Sequence, residues 1–222
     1  MASHQARASP FVLAFFFSFH ISAFLGSAAY SISELIPEEL YLTIFLHKDD
    51  AICPAKGFYP YEAFVTATQF FPEFGTTGSV DTRKLELAAF LAQISHETTG
   101  GWDTAPDGPY TWGLCLKDEF NASSDYCDTN NTKWPCYPGK SYKGRGPLQI
   151  SWNYNYGTAG EALGFDGLRQ PDLVSNRSEL AFKMALWFWM TPREPKPSCH
   201  DVMVGLFRPS EVDRTGPPGS GW

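Results

Sequence analysis

The sequence predicts a mainly α-helical protein, because apolar residues recur at helical spacing in two long segments. One face of the first segment carries four of them: Leu87, Phe90, Leu91 and Ile94. The second segment begins near Ser178, and the helical pattern ends at Thr191 and Pro192. The chain has 222 residues, of which 43% are hydrophobic and 18% charged, so it can fold and bury the core of one domain.

Two further helices are expected in the N-terminal half. One has Pro37 in its first turn and carries three apolar residues at helical spacing: Leu40, Ile44 and Phe45. The other is predicted over 61–71, where it stops before a proline. The helix that contains the first apolar stripe should be capped by Asp81 or Thr82.

The middle of the chain is expected to be loop-rich. Residues 102–146 are rich in Gly, Pro, Asp and Asn and contain three cysteines, which is typical of loops held by disulfides. Residues 142–152 are expected to add short strands. Polar residues alternate at Gln149, Ser151, Asn153 and Asn155, so one side of an extended segment can bond hydroxyl groups. The alternative is an ordinary surface strand.

Residues 1–29 are predicted to be a signal peptide. Arg7 is the only charged residue before Glu34, the stretch 11–25 is apolar and rich in Phe, and small residues follow at 26–29. The apolar stretch is too short to span a bilayer. A buried or anchoring N-terminal helix is the alternative interpretation.

The cysteines fit a secreted chain, in which they should pair and leave one over. They are Cys53, Cys115, Cys127, Cys136 and Cys199. Spacing alone leaves the pairing open, although a bridge between Cys127 and Cys136 would close a short loop. N-glycosylation sequons at Asn121, Asn130 and Asn176 agree with secretion.

Net charge and missing motifs argue against several function classes. The formal charge of −7 makes binding to a polyanion such as nucleic acid unfavourable. A zinc-protease motif that begins at His96 would need a second His at Gly100, and a phosphate loop that ends at 139–141 would need a glycine at Trp134. The sequence contains no Gly-x-Ser-x-Gly motif of a serine hydrolase.

Glu97 is the strongest candidate for acid catalysis. It lies three residues after Ile94 and seven after Phe90, so helix geometry carries the apolar face onto its carboxyl group. Partial burial and a position at the helix C-terminus both disfavour the charged carboxylate, which suits a general acid. The alternative is a carboxylate that only hydrogen-bonds Thr98 or Thr99 at a frayed helix end.

Glu119 is a weaker candidate by itself, because the run of Lys117, Asp118 and Glu119 is typical of a solvated turn. Cys115 could anchor that turn. A fixed carboxylate that faces Glu97 across a groove would complete the acid and base pair of a glycosidase.

Aromatic residues gather in the glycine-rich middle, where flat rings with polar edges suit the faces of sugars. They are Trp102, Trp112, Trp134, Trp152, Tyr154 and Tyr156. Trp187, Phe188 and Trp189 lie instead in an apolar helix and are expected in the core. The middle of the chain therefore predicts a sugar-binding groove.

Five motifs along the chain match one known family. They are Ser-His-Glu-Thr-Thr-Gly-Gly-Trp at 95–102, Ala-Pro-Asp-Gly-Pro-Tyr at 105–110, Gly-Arg-Gly-Pro-Leu-Gln-Ile-Ser at 144–151, Asn-Tyr-Asn-Tyr-Gly at 153–157 and Trp-Phe-Trp-Met-Thr-Pro at 187–192. With them the sequence resembles the plant chitinases of glycoside hydrolase family 19 over about 38–214. No hevein-like chitin-binding module precedes the domain, so the chain is similar to the class II type.

The resemblance implies inverting hydrolysis of β-1,4 bonds between N-acetylglucosamine units. Glu97 matches the catalytic acid, Glu119 matches the general base, and Ser151 matches a residue that helps to hold the attacking water. Seven residues match substrate-groove positions: His96, Thr98, Thr99, Trp134, Gln149, Tyr154 and Asn155. The disulfides of the family match Cys53 with Cys115 and Cys127 with Cys136.

The resemblance also implies a lysozyme-like, mainly α-helical fold with two lobes, a central cleft and a small β element. No metal or organic cofactor is implied. Chitin and N-acetylglucosamine oligosaccharides are the expected partners of a monomer that binds neither nucleic acid nor membrane. We expect a secreted, or alternatively vacuolar, protein that breaks down chitin and cell wall material in defence against fungi.

The expected division of the chain is a signal peptide at 1–29, a catalytic domain at 30–214 and a non-family tail at 215–222. Asp118 and Trp152 replace residues more usual in class II relatives. Relatives continue after the equivalent of Arg214 through an Asn-Gly-Gly motif and two helices, so the domain is expected to be incomplete and Cys199 unpaired. The alternatives to an active endochitinase are therefore a catalytically impaired chitin-binding protein and a misfolded fragment.

Overall fold

The computed structural model of the chain describes residues 31–99 and 104–210. Within them the helices are α1 Ile32–Leu35, α2 Glu38–Ile44, α3 Tyr61–Thr68, α4 Val80–Thr98, a 3-10 helix Pro109–Trp112, α5 Asn153–Leu163, α6 Leu173–Asn176, α7 Ser178–Met190 and α8 Cys199–Met203. The prediction of a mainly helical protein is confirmed. The predicted signal peptide, Trp102 and the predicted tail at 215–222 lie outside the described residues.

The core is built on α3, α4 and α7, whose aromatic rings meet at the centre. Phe64 of α3, Phe90 of α4 and Phe182 of α7 are fully buried. The ring centroids of Phe64 and Phe90 are 6.4 Å apart, and those of Phe64 and Phe182 are 5.7 Å apart. The apolar stripe of α4 is buried as predicted, and so are Trp187 and Trp189 of α7. Hydrophobic burial therefore fixes the helix at whose end Glu97 lies.

Helix ends and faces differ from the sequence prediction in three places. Ser79, and not Asp81 or Thr82, caps α4, since its hydroxyl accepts a hydrogen bond from the backbone of Thr82 at 3.2 Å. Helix α3 ends at Thr68, before the predicted limit of 71. In α2 the fully buried residue is Tyr41, whereas Leu40 is exposed, because the core lies one position further around the helix than the apolar spacing indicates.

Helix α5 was not predicted, since the polar alternation in this region favoured an extended segment. The extended part ends at Ser151, and α5 begins at Asn153. Gly157 lowers the helix propensity of the segment, which hides the helix in the sequence. The glycine is needed for packing, because a Cβ at this position would lie 2.4 Å from the ring of Trp134.

The small β element consists of isolated bridges. Asp118 pairs with Arg145, Arg145 pairs with Ile150, and Arg193 pairs with Lys196, all antiparallel. The short strands expected within 142–152 are thus reduced to single pairs. The first two bridges share Arg145 and join three segments side by side.

Two disulfides hold the loops around this β element. Cys53 bonds Cys115 across 62 residues, and Cys127 bonds Cys136 across nine residues. Both pairings are those that the family resemblance implies. Cys199 is exposed and forms no disulfide within the described ranges. Among the helices of these ranges, none is both long and apolar enough to cross a membrane.

Candidate active site

The bridges through Arg145 align three predicted site segments. Because Asp118, Arg145 and Ile150 form one cross-strand row, the next position along each segment brings Glu119, Gly144 and Ser151 together. The bond from the backbone N–H of Glu119 to the carbonyl of Gly144, 2.8 Å long, supports this register. Glu119 and Ser151 therefore lie two strand spacings apart, about 10 Å between backbones, with a residue that lacks a side chain between them.

The carboxylate of Glu119 is half-buried and held at both oxygens. The phenol of Tyr126 donates to Oε1 at 2.5 Å, and the backbone N–H of Gly144 donates to Oε2 at 3.0 Å. The hydrogen bond to Glu119 raises the pKa of Tyr126, because ionising the phenol would remove the proton that the two groups share. Glu119 is therefore a fixed carboxylate, and the expectation of a freely solvated turn is wrong. Tyr126 was not identified from the sequence.

Glu97 lies at the C-terminal end of α4 and is half-buried, as predicted. The side-chain amide of Gln93, one turn earlier, donates to its Oε1 at 2.7 Å. The alternative expectation, hydrogen bonds from Glu97 to Thr98 or Thr99, does not match the contact found. Gln93 leaves Oε2 of Glu97 without a hydrogen bond among the described side chains.

Thr98 connects the helix that carries Glu97 with the segment that leads to Glu119. Its hydroxyl accepts a hydrogen bond from the backbone N–H of Leu114 at 2.6 Å, and its carbonyl accepts one from Leu116 at 3.0 Å. The Thr98 side chain is fully buried. Glu119 follows Leu116 by three residues, so these bonds fix the spacing between the two predicted catalytic segments.

A buried arginine supports the β element from the opposite face. Arg145 is 3% exposed and donates to Asp172 at 2.6 Å and to the phenol of Tyr156 at 2.9 Å. Asp118 lies 3.4 Å from the Nε of Arg145 and accepts a hydrogen bond from Ser175 at 2.7 Å. Alternate residues of an extended segment point to opposite faces, so this cluster lies on the face opposite to the side chain of Glu119.

Ser151, Gln149 and Asn155 are linked by hydrogen bonds. The hydroxyl of Ser151 donates to the carbonyl of Gln149 at 3.1 Å, and the side-chain amide of Asn155 donates to the carbonyl of Ser151 at 2.7 Å. The amide of Gln149 donates to the carbonyl of Gly146 at 2.9 Å. The structure thus brings three of the predicted site residues into one cluster.

An aromatic group lies beside this cluster. The rings of Trp152 and Tyr154 stack with centroids 6.0 Å apart and 12° between their planes, and Trp152 meets the ring of Tyr126 edge-on at 5.4 Å. Trp152 is 39% exposed, and burial raises the pKa of Tyr154. Because Tyr126 contacts both Trp152 and Glu119, the exposed indole lies next to the predicted base.

Trp134 and Asn153 lie on another side of α5. The ring of Trp134 covers Gly157, and its carbonyl accepts a hydrogen bond from the amide of Asn153 at 2.6 Å. Asn153 is fully buried and also bonds the backbone of Asp128 through both its oxygen and its nitrogen. The expectation that Asn153 shares one face of an extended segment with Gln149, Ser151 and Asn155 is wrong, since its position in the first turn of a helix turns it toward the loop instead.

Two of the aromatic residues expected in the groove are structural. Trp112 is 6% exposed and stacks on His47 with centroids 4.1 Å apart. Tyr156 is fully buried against Arg145. Their positions in a glycine-rich sequence gave no sign of burial, because the packing partners come from distant segments.

The remaining predicted groove residues flank Glu97. His96 is exposed, and its ring lies 6.0 Å from that of Tyr110. The hydroxyl of Thr99 donates to the carbonyl of His96 at 3.1 Å. Within 31–99 and 104–210 no group of three His, Cys, Asp or Glu side chains is arranged to hold a metal ion.

Comparison with known proteins gives one consistent result. The family described as "Chitinase class I", glycoside hydrolase family 19, matches residues 35–222. Chitinase 10 of Oryza sativa subsp. japonica is 60% identical over 222 residues, which cover 93% of this chain and 77% of the rice protein. Endochitinase CH25 of Brassica napus is 58% identical over 183 residues, which cover 82% of this chain and 56% of that protein.

A solved structure agrees with the sequence comparison. The class IV, family 19 chitinase from Zea mays is 41% identical, with a TM-score of 0.59 and coverage of 70% of each chain. The lysozyme-like, mainly helical fold expected from the five motifs is thereby confirmed.

Proposed function

The chain belongs to the chitinases of glycoside hydrolase family 19, and we propose that it is an endochitinase which hydrolyses β-1,4 bonds between N-acetylglucosamine units with inversion. The observation that carries the proposal is the row of Glu119, Gly144 and Ser151, in which a fixed carboxylate and a hydroxyl flank a position without a side chain. Gln149 lies over that position, because a Cβ on Gly144 would be 3.0 Å from the carbonyl of Gln149 and 3.1 Å from its Oε1.

In this proposal Glu97 is the general acid. Its Oε1 accepts from Gln93, so Oε2 is the oxygen that carries the proton to the leaving glycosidic oxygen. Glu97 ends a helix whose packed face fixes its backbone, which favours a reproducible position for the transferred proton.

Glu119 is the general base. Tyr126 and Gly144 each donate to one of its oxygens, and both bonds stabilise the charged carboxylate that must take a proton from water. Each oxygen keeps a second lone pair for that water. The inverting reaction requires the two carboxyl groups to be roughly 6.5 to 9.5 Å apart, so that water fits between the base and the sugar.

Ser151 orients the water from the other side of Gly144. Its hydroxyl donates to the carbonyl of Gln149, and an oxygen lone pair remains to accept a proton of the water. Both acceptors then orient the water so that one of its lone pairs faces the anomeric carbon.

The groove binds an N-acetylglucosamine chain through polar and aromatic side chains. Gln149, Asn155 and His96 offer hydrogen bonds, and Tyr154 offers a ring face. Trp134 offers only the part of its indole that Gly157 and Lys133 leave uncovered. Trp152 joins this set because its exposed indole lies beside Tyr126. The buried hydroxyl of Thr98 serves the groove indirectly by fixing the backbone, and that of Thr99 bonds the backbone next to Glu97.

The same proposal includes a secreted or vacuolar monomer that acts on fungal chitin in plant defence. The residues expected to direct secretion are 1–29, and the two disulfides suit an oxidising compartment.

The product anomer tests the mechanism. Purified protein is incubated with an N-acetylglucosamine hexamer, and proton NMR follows the anomeric signals during the first turnovers. Inversion predicts that the α-anomer appears first and that the β-anomer follows by mutarotation. Initial β-anomer contradicts the assigned roles, and binding of the oligomer without any hydrolysis favours a chitin-binding protein instead.

A further inference from the structure

Arg193 lies in a tight turn just after α7. Its backbone N–H donates to the carbonyl of Lys196 at 2.9 Å, and the N–H of Lys196 returns a hydrogen bond at 2.7 Å. The guanidinium lies over the rings of Trp187 and Phe188, 4.6 and 4.4 Å from their centroids. Backbone and side chain are therefore both held in place.

Only one of the three guanidinium nitrogens has a hydrogen-bond acceptor among the described residues. Nη1 donates to Oδ1 of Asn155 at 2.7 Å, while Nε and Nη2 are buried and have no hydrogen-bond partner among the described residues. Burial lowers the pKa of Arg193, because few groups compensate for the lost hydration of the cation. The two buried donors without partners offset part of what the contacts with the two rings contribute to stability, so stability alone gives little reason for an arginine here.

The bond to Asn155 fixes which way its amide faces. Oδ1 accepts from Arg193, so Nδ2 must point the other way, where it donates to the carbonyl of Ser151 at 2.7 Å. A flipped amide would set its NH₂ group against the guanidinium, donor against donor. Arg193 thus determines the orientation of a hydrogen bond that ends on Ser151.

We propose that Arg193 is a positioning residue of the hydrolytic site, which acts through the Asn155 amide to hold Ser151 in line with Glu119. The inference rests on the proposed function, because Ser151 matters to catalysis only if it orients the attacking water. Arg193 does not contact the substrate in this proposal.

Arg193→Met tests the proposal, since methionine keeps an apolar stem over the two rings and removes every donor. We expect kcat for the hexamer to fall about tenfold and KM to stay within about twofold, because the attacking water is misplaced while Asn155 is the only proposed sugar contact that the change disturbs. The melting temperature should stay the same or rise, since two buried unpaired donors are lost. Arg193→Lys, which keeps one charged donor, should recover part of kcat.

If the role of Arg193 is purely structural, Arg193→Met should instead lower the melting temperature, and activity should fall only as far as the amount of folded protein falls. That pattern, or an unchanged kcat, overturns the proposal. In a double-mutant cycle, adding Arg193→Met to Asn155→Ala should cause no further loss, because both changes break one chain of hydrogen bonds. If the losses of kcat are additive, Arg193 does not act through Asn155, and the proposal is overturned.

An NMR measurement remains informative if the wild-type protein proves inactive, in which case the proposed function fails by itself. The side-chain amide protons of Asn155 should shift and exchange faster with solvent in Arg193→Met than in wild type. Unchanged Asn155 signals overturn the positioning role whatever the turnover rate.

Discussion

Tyr126 donates its phenolic proton to Glu119 across 2.5 Å, and this bond raises the pKa of Tyr126 above that of an ordinary tyrosine. An ordinary phenol ionises at about pH 10. The bond and its contribution to stability are therefore intact below about pH 10 and are lost as pH rises through the higher value of the folded protein. At neutral and acidic pH the donor is therefore always present.

Glu119→Gln should return the pKa of Tyr126 toward its ordinary value, because the charged acceptor is gone. The absorbance change at tyrosine ionisation, recorded as a difference between wild type and variant during an alkaline titration, measures the shift. When Tyr126→Phe is introduced into both the wild type and Glu119→Gln, the difference between their titration curves should disappear. A titration curve that is identical in wild type and Glu119→Gln would show that the short contact does not persist in solution.

Glu97→Gln should lower kcat by about 10² to 10⁴, since the amide cannot protonate the leaving oxygen. Binding of an N-acetylglucosamine tetramer, measured by calorimetry, should stay within about twofold because the shape of the side chain is retained. Glu161→Gln on the exposed side of α5 is the matched control and should leave both quantities unchanged. A Glu97→Gln enzyme with the wild-type rate would exclude Glu97 as the acid.

Trp152→Ala should raise KM roughly three- to tenfold and change kcat little, because an aromatic face contributes about 0.5–1.5 kcal/mol when it stacks. Phe70→Ala removes another exposed ring, 58% accessible and associated with Lys183 on α7, and should leave KM unaltered. Steady-state kinetics on the hexamer distinguish the two. Equal effects of both substitutions would indicate general destabilisation and not loss of a sugar contact.

Thr98→Val should destabilise the protein by about 1–3 kcal/mol, because the N–H of Leu114 would be buried without its acceptor. Thr98→Ser keeps the hydroxyl and should lose less. Urea unfolding at equilibrium measures both changes in free energy. If valine proves as stable as threonine, the link between α4 and the Glu119 segment does not depend on this hydroxyl.

The features that were predictable from the sequence are those encoded locally. The spacing of apolar residues defines α4 and α7, and it also places Glu97 at the end of a packed face. Five short motifs, of which Gly144 to Ser151 is one, carry the resemblance to a known family, which in turn implied both disulfides. Each of these signals lies within a few residues, so no tertiary information was required.

The contacts that complete the site were not predictable, because they join residues with no periodic relation. Tyr126 reaches Glu119 from a loop position with a positive φ of 54°, which few side chains adopt. Arg193 reaches Asn155 across 38 residues of sequence. Helix α5 was hidden because Gly157 weakens its propensity, while the neighbouring ring of Trp134 that requires the glycine is visible only in three dimensions.

The buried cluster around Arg145 has a consequence for how such a protein can change its role. It anchors the platform of Glu119, Gly144 and Ser151 from the opposite face, whereas Glu97 is carried by α4, to which the platform is joined through Thr98. If Glu97 is the acid, as proposed, replacing it should reduce bond cleavage severely and leave the sugar-binding residues in place. One amino-acid substitution could therefore convert such a hydrolase into a chitin-binding protein, because the residues that bind the sugar are kept.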